Sequence, residues 1–101
     1  MTEPPVVVLK TYDLTLWLIP KVENLPRTYR FTIGDRMVNL VLDLLLTLVA
    51  AAYQREKVST VRSASAKLNS LRYLLRLSKD LHWLPAEGYF SLPPLPRFIF
   101  R

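Results

Sequence analysis

Four cations in the C-terminal half have the spacing of a recognition surface. Arg62, Ser65, Asn69, Arg72, Arg76 and Lys79 step by 3, 4, 3, 4 and 3. At 100° per residue they share an arc of about 100° on one helix. Arginines in such a row neutralise phosphate oxygens and pair with them bidentately, with an affinity that falls steeply as salt rises. The alternative for any charge run is a solvated helix face. That is the usual explanation, and two points raise the odds of phosphate contact. The row lacks the interspersed acids of an i,i+4 ion-pair face, with only Asp80 at its edge. The whole chain is also basic, with 14 Lys and Arg against 8 Asp and Glu, net charge +6 and a pI near 10. Arg27, Arg30 and Arg36 form a second group, around the expected start of another helix. Cations are mildly unfavourable there. That leaves two readings, anion binding or pairing with carboxylates, within or between subunits.

Little else in the chain can do chemistry. Cysteine is absent, so there is no disulfide, thiolate nucleophile or thiolate metal site. The single histidine, His82, suits the dipole at the end of a helix. Asp43 is a lone carboxylate on an apolar helix, without a positioned mate for acid–base work. Two glycines cannot build a Gly-rich phosphate loop. No nucleophile–base pair or metal cage is discernible, so the expectation is a non-enzyme without cofactor or metal. Trp17, Tyr73 and Trp83 could stack on unpaired bases, or be core or interface aromatics.

The elements that must position these residues follow from the prolines. They stand at 4, 5, 20, 26, 85, 93, 94 and 96, and none lies between 27 and 84. A chain of 101 residues is expected to form one domain over 1–101. At 50% apolar it is no disordered basic tail. Residues 1–8 read as an extended arm, lacking the basic region and cleavage site of a signal peptide, and a cytoplasmic location is expected. The first helix should span 9–24, with Leu9, Tyr12, Leu16 and Ile19 as its apolar face and a kink at Pro20. The second should span 32–54, announced by Thr32 with Asp35 three residues on. Its polar residues, Arg36, Asn39, Asp43, Thr47 and Gln54, form one narrow stripe, which predicts burial on several other sides. Gly34 in its first turn either permits close approach of another helix or is merely tolerated. The third helix should span 60–84, with Leu68, Leu71, Leu74, Leu75, Leu77 and Leu81 opposite the basic row. The tail, 85–101, is proline-rich yet apolar, and should pack irregularly on the helices or on a neighbouring subunit.

Residues 37–53 are the most apolar window, at the short limit for a membrane crossing. Asp43 near the centre opposes insertion by about 2.5–3.5 kcal/mol, so a covered core helix is the expectation.

Three stretches make the reading specific. They are Tyr12-Asp13-Leu14 with Trp17-Leu18; Leu25-Pro26-Arg27-Thr28-Tyr29-Arg30-Phe31-Thr32-Ile33-Gly34-Asp35-Arg36; and Lys67-Leu68, Leu71-Arg72-Tyr73-Leu74-Leu75-Arg76-Leu77 and Asp80-Leu81. Over roughly residues 10–84 the chain resembles Avd, the accessory variability determinant of diversity-generating retroelements. It is similar also to the four-helix-bundle proteins encoded in intervening sequences of bacterial 23S ribosomal RNA genes. The resemblance implies an all-α, up-down antiparallel bundle assembled as a basic homo-oligomer, a pentamer in the family. It further implies a non-catalytic partner of a reverse transcriptase and its template RNA in mutagenic cDNA synthesis, with DNA as a second candidate nucleic-acid partner. The nucleic-acid-binding residues would be Arg62, Arg72, Arg76, Lys79, Arg27, Arg30 and Arg36. The family's fourth helix is replaced or truncated here by the Pro93-Pro94-Leu95-Pro96 tail, leaving three long helices. The alternatives are an RNA-associated bundle of the intervening-sequence type with no polymerase partner, or a structural or membrane-associated helical protein. Oligomerisation has a physical basis of its own. Three helices of this length cannot cover so much apolar surface, and exposed it would favour aggregation.

Overall fold

The computed structural model describes residues 5–53, 58–82 and 93. All regular structure among them is helical: α1 (Val6–Glu23), α2 (Arg27–Tyr29), a π-helical turn (Arg30–Gly34), α3 (Asp35–Ala51) and α4 (Val58–Asp80). The segment 27–51 is continuous, so three long helical stretches result. The tail expected over 85–101 lies outside the described residues except for Pro93, as does Gln54.

Prolines start two of these helices. Pro5 and Pro26 stand at the N-caps of α1 and α2 with extended ψ values of 151° and 145°. The carbonyl of Pro5 accepts from the Val8 and Leu9 amides, and that of Pro26 from Tyr29 and Arg30. A proline nitrogen has no hydrogen to leave unsatisfied at a helix start, and its fixed φ suits that position. Two sequence-based expectations are corrected by this. The arm predicted for 1–8 is already helical from Val6, and the second helical stretch begins at Arg27 rather than 32. Thr32 is therefore no N-cap. Its hydroxyl donates to the Thr28 and Tyr29 carbonyls at 3.1 and 3.3 Å, inside the π turn. Pro20 sits within α1, which continues past it to Glu23.

The core is one cluster drawn from all three stretches. Leu14, Leu18 and Val22 of α1 meet Met37, Val41, Leu44 and Leu48 of α3 and Ala64, Leu68, Leu71 and Leu75 of α4. On α3 and α4 these positions recur at 3- and 4-residue steps, the seam of a helix with one buried side. α3 is central, packed by α1 and by α4. Ser78 of α4 lies against Met37 at the start of α3. Thr47 and Ala50 near its end share a groove with Ser59, Thr60, Ser63 and Lys67. These two helices thus run in opposite directions.

The buried face of α1 is not the predicted one. Leu9, Tyr12 and Leu16 are exposed, and Thr11, Leu14, Thr15, Leu18 and Val22 are buried. The threonines can face the core because each hydroxyl is satisfied within its own helix. Thr11 donates to the Val7 carbonyl at 2.7 Å and Thr15 to that of Thr11 at 2.8 Å. What they bury is then mostly a methyl group. Ser78 on α4 does the same, donating to the Leu74 carbonyl at 2.8 Å. The apolar face read from 3-4-3 spacing is real, but it is a second face, turned away from the described core.

α3 behaves similarly. Only Met37, Val41, Leu44, Leu48 and Ala51 are buried on it. On the opposite side Leu42, Leu46, Val49 and Tyr53 stand exposed at 4-, 3- and 4-residue steps, Leu46 at 65%. Burial on several sides is therefore not achieved by the described helices. Leu77 on α4 and Leu81 just past its end are likewise exposed rather than core, because the buried seam runs through 64, 68, 71, 75 and 78.

Gly34 is buried at the end of the π turn. A Cβ built there would stand 2.9 Å from Val22 Cγ1 and 3.4 Å from the Tyr29 carbonyl oxygen. The absence of a side chain is what lets this turn close on the last turn of α1. α4 ends at Asp80, short of the predicted 84. His82 adopts a left-handed conformation, φ 63°, with its amide donating to the Lys79 carbonyl at 3.0 Å. That backbone reversal terminates the helix.

Candidate nucleic-acid interface

The predicted row on α4 forms a continuous flank of that helix. Each of Ser65, Asn69, Arg72, Arg76 and Lys79 follows a buried seam residue by one position. The row is therefore turned by about 100° from the core, not set directly opposite it. Arg62, Arg72 and Arg76 are exposed, while Lys79 is half-buried. Arg72 Nη1 donates to Asn69 Oδ1 at 3.4 Å, along the row itself.

Asp80 has a larger effect than its edge position suggested. One carboxylate oxygen lies 3.8 Å from Arg76 Nε and the other 3.9 Å from Lys79 Nζ. Both separations are long and the Arg76 pair is solvent-exposed, so each pair contributes little to stability. Their consequence is electrostatic: one acid screens two of the four cations.

The second arginine group does not join this row. Arg36 is exposed and shares a groove with Asn39, Leu40 and Asp43 of α3 and with Ser70 and Leu74 of α4. Ser70 and Leu74 lie on the other flank of the α4 seam from Arg72 and Arg76. Asp43 is thus an exposed groove residue, in the same lining as Arg36. Arg30 is committed within the chain. Its Nη1 donates to the carbonyl of Glu23, the last residue of α1, at 3.2 Å. A guanidinium at that position satisfies a terminal carbonyl and favours the negative helix end. Its Nε is buried without a hydrogen-bond partner. Arg27 is exposed.

One residue was missed by sequence reasoning. Phe31 is 60% exposed, and two guanidinium carbons stand over its ring, Arg30 at 5.4 Å and Arg27 at 6.0 Å from the centroid. The signal was available in the Arg-Thr-Tyr-Arg-Phe order, since residues 27, 30 and 31 share one side of a helical turn. Of the other aromatics, Trp17 is half-buried with Lys21 Nζ 5.6 Å from its ring, Tyr73 is exposed, and Trp83 lies outside the described residues.

Among the described residues no group of three or more His, Cys, Asp or Glu could hold a metal ion, and no helix is long and apolar enough to cross a membrane. The site is thus an arginine-rich surface on an all-helical scaffold. A family model described as bAvd-like matches residues 5–95. The chain belongs to that family. No curated protein and no solved structure matches it.

Proposed function

We propose that this chain is a non-enzymatic accessory protein of a diversity-generating retroelement. It binds template RNA through the basic flank of α4 and associates with the reverse transcriptase that copies that RNA. The observation that carries this reading is the family match over residues 5–95, in a chain whose exposed Arg62, Arg72 and Arg76 lie along one helix flank. The antiparallel pairing of α3 and α4, with α1 packed on α3, supports an up-and-down bundle. The outer apolar faces of α1 and α3 support its assembly into a homo-oligomer, a pentamer by the family resemblance. By the family resemblance, the proline-rich sequence of 85–101 replaces or truncates a fourth helix.

The test replaces Arg72, Arg76 and Lys79 together by Gln and measures template-RNA binding over a salt series. Loss of three phosphate contacts lowers affinity and flattens the log–log salt slope by about 2. The sedimentation coefficient stays unchanged. Equal affinity and equal slope would remove this flank as the RNA surface. Co-purification with a reverse transcriptase separates the retroelement role from a polymerase-free RNA role.

A further inference from the structure

We propose that Phe31 is a stacking seat for an unpaired base of single-stranded RNA, with Arg27 beside it as a phosphate partner and Arg30 backing the ring. This rests on the RNA-binding reading above and assigns it a second contact, away from the α4 row.

Four observations lead there. The ring is 60% exposed although it sits beside a packed turn. Its surroundings are cationic, with guanidinium carbons 5.4 and 6.0 Å from the centroid. Its backbone is held by contacts that leave little play: Gly34 closes on Val22, and Arg30 is tied to the Glu23 carbonyl. A side chain presented from such a support needs little ordering on binding. Finally, Leu25 and Met37, which bracket this turn, line one crevice with Leu75 and Ser78. The seat therefore lies at the same end of the molecule as Arg76 and Lys79.

The chemistry of these groups selects the occupant. A purely apolar partner would have to desolvate two guanidinium groups without replacing their hydrogen bonds. An acidic peptide would satisfy the arginines but offers the ring no flat π face. A nucleotide brings both, a base for Phe31 and a phosphate for Arg27. Arg27, exposed and at the outer limit of cation–π contact, gives up little by turning onto a phosphate. Arg30 stays fixed on α1 and backs the ring.

The experiment uses the full chain and a short single-stranded RNA with one 2-aminopurine, beside a duplex of the same length. Phe31→Leu keeps an apolar side chain and removes the π system, while Phe31→Tyr keeps it. Single-strand affinity is expected to fall about tenfold in Phe31→Leu. The quenching of 2-aminopurine on binding should be lost, and the salt slope and duplex binding should be unchanged. Phe31→Tyr should behave as wild type. Wild-type affinity and quenching in Phe31→Leu would overturn the seat. So would an equal loss on the duplex, or a changed sedimentation coefficient with quenching intact, which would place Phe31 between copies of the chain. If the α4 triple variant loses RNA and Phe31→Leu does not, only this inference fails. If the wild type binds neither RNA, both readings fail.

Discussion

At the scale of single residues, two backbone positions define the ends of the long helices. Gly34 is where the π turn meets α1, and Val22 is a stiff, buried β-branched side chain that cannot swing away from an added Cβ. Gly34→Ala should destabilise the protein by about 1–3 kcal/mol despite the better helix propensity of alanine. Combined with Val22→Ala, the two losses should be less than additive, by at least about 0.5 kcal/mol in a urea-denaturation cycle. Additive losses would show that the two positions do not press on each other. His82 presents the opposite case. It holds φ 63° with a Cβ present, so His82→Gly should raise stability by about 1 kcal/mol. The thermal midpoint should rise with it, and no rise would mean that this cap stores no strain. Neither position could be ranked from sequence. Gly34 read equally well as a close approach or a tolerated residue, because its neighbour Val22 is twelve positions away. His82 read only as a residue suited to the helix-end dipole, because its left-handed backbone leaves no mark in residue type.

At the scale of elements, the basic row was legible because its periodicity lies within one helix. Its relation to the core was less so. The leucines of α4 span about half its circumference, and spacing alone does not say which of them a neighbour covers. Leu77 and Leu81 turned out exposed for that reason. α1 shows the same limit more sharply. Its core face carries Thr11 and Thr15, which hydropathy counts as polar, while their hydroxyls are satisfied by carbonyls of their own helix. The π turn was invisible as well, since Thr32 and Asp35 match a helix-start signature that tertiary packing overrode. One prediction belongs to the α4 flank. Asp80 is shared by Arg76 and Lys79, so Asp80→Asn should release both. RNA affinity should rise severalfold at low salt, with a steeper salt slope and unchanged helicity. Unaltered binding would show that these cations do not contact the RNA.

At the scale of the whole molecule, the apolar surface exceeds what the described helices cover. Leu9, Tyr12 and Leu16 on α1, and Leu42, Leu46 and Val49 on α3 with Tyr53 just beyond its end, remain exposed. The sequence pointed to this excess correctly, since one narrow polar stripe on α3 implied more apolar face than two neighbours can bury. Leu16→Glu combined with Leu46→Glu should give a smaller species in sedimentation velocity, with the helical circular dichroism retained. An unchanged species would assign the assembly to other surfaces. The π turn has a bearing on how such a chain can change over generations. A widened turn carries one residue more than an α-helical turn needs, whereas in the α-helix on either side each residue is worth 100° of rotation. A one-residue deletion within 30–34 therefore narrows the turn to an α-helical one and keeps Arg27 in phase with Met37, Val41 and Leu44. The same deletion in the α-helical part of 35–51 would rotate the arginine end by about 100° against the core residues beyond it. The π turn is thus the one stretch of this segment that can lose a residue without turning the arginines about the core seam.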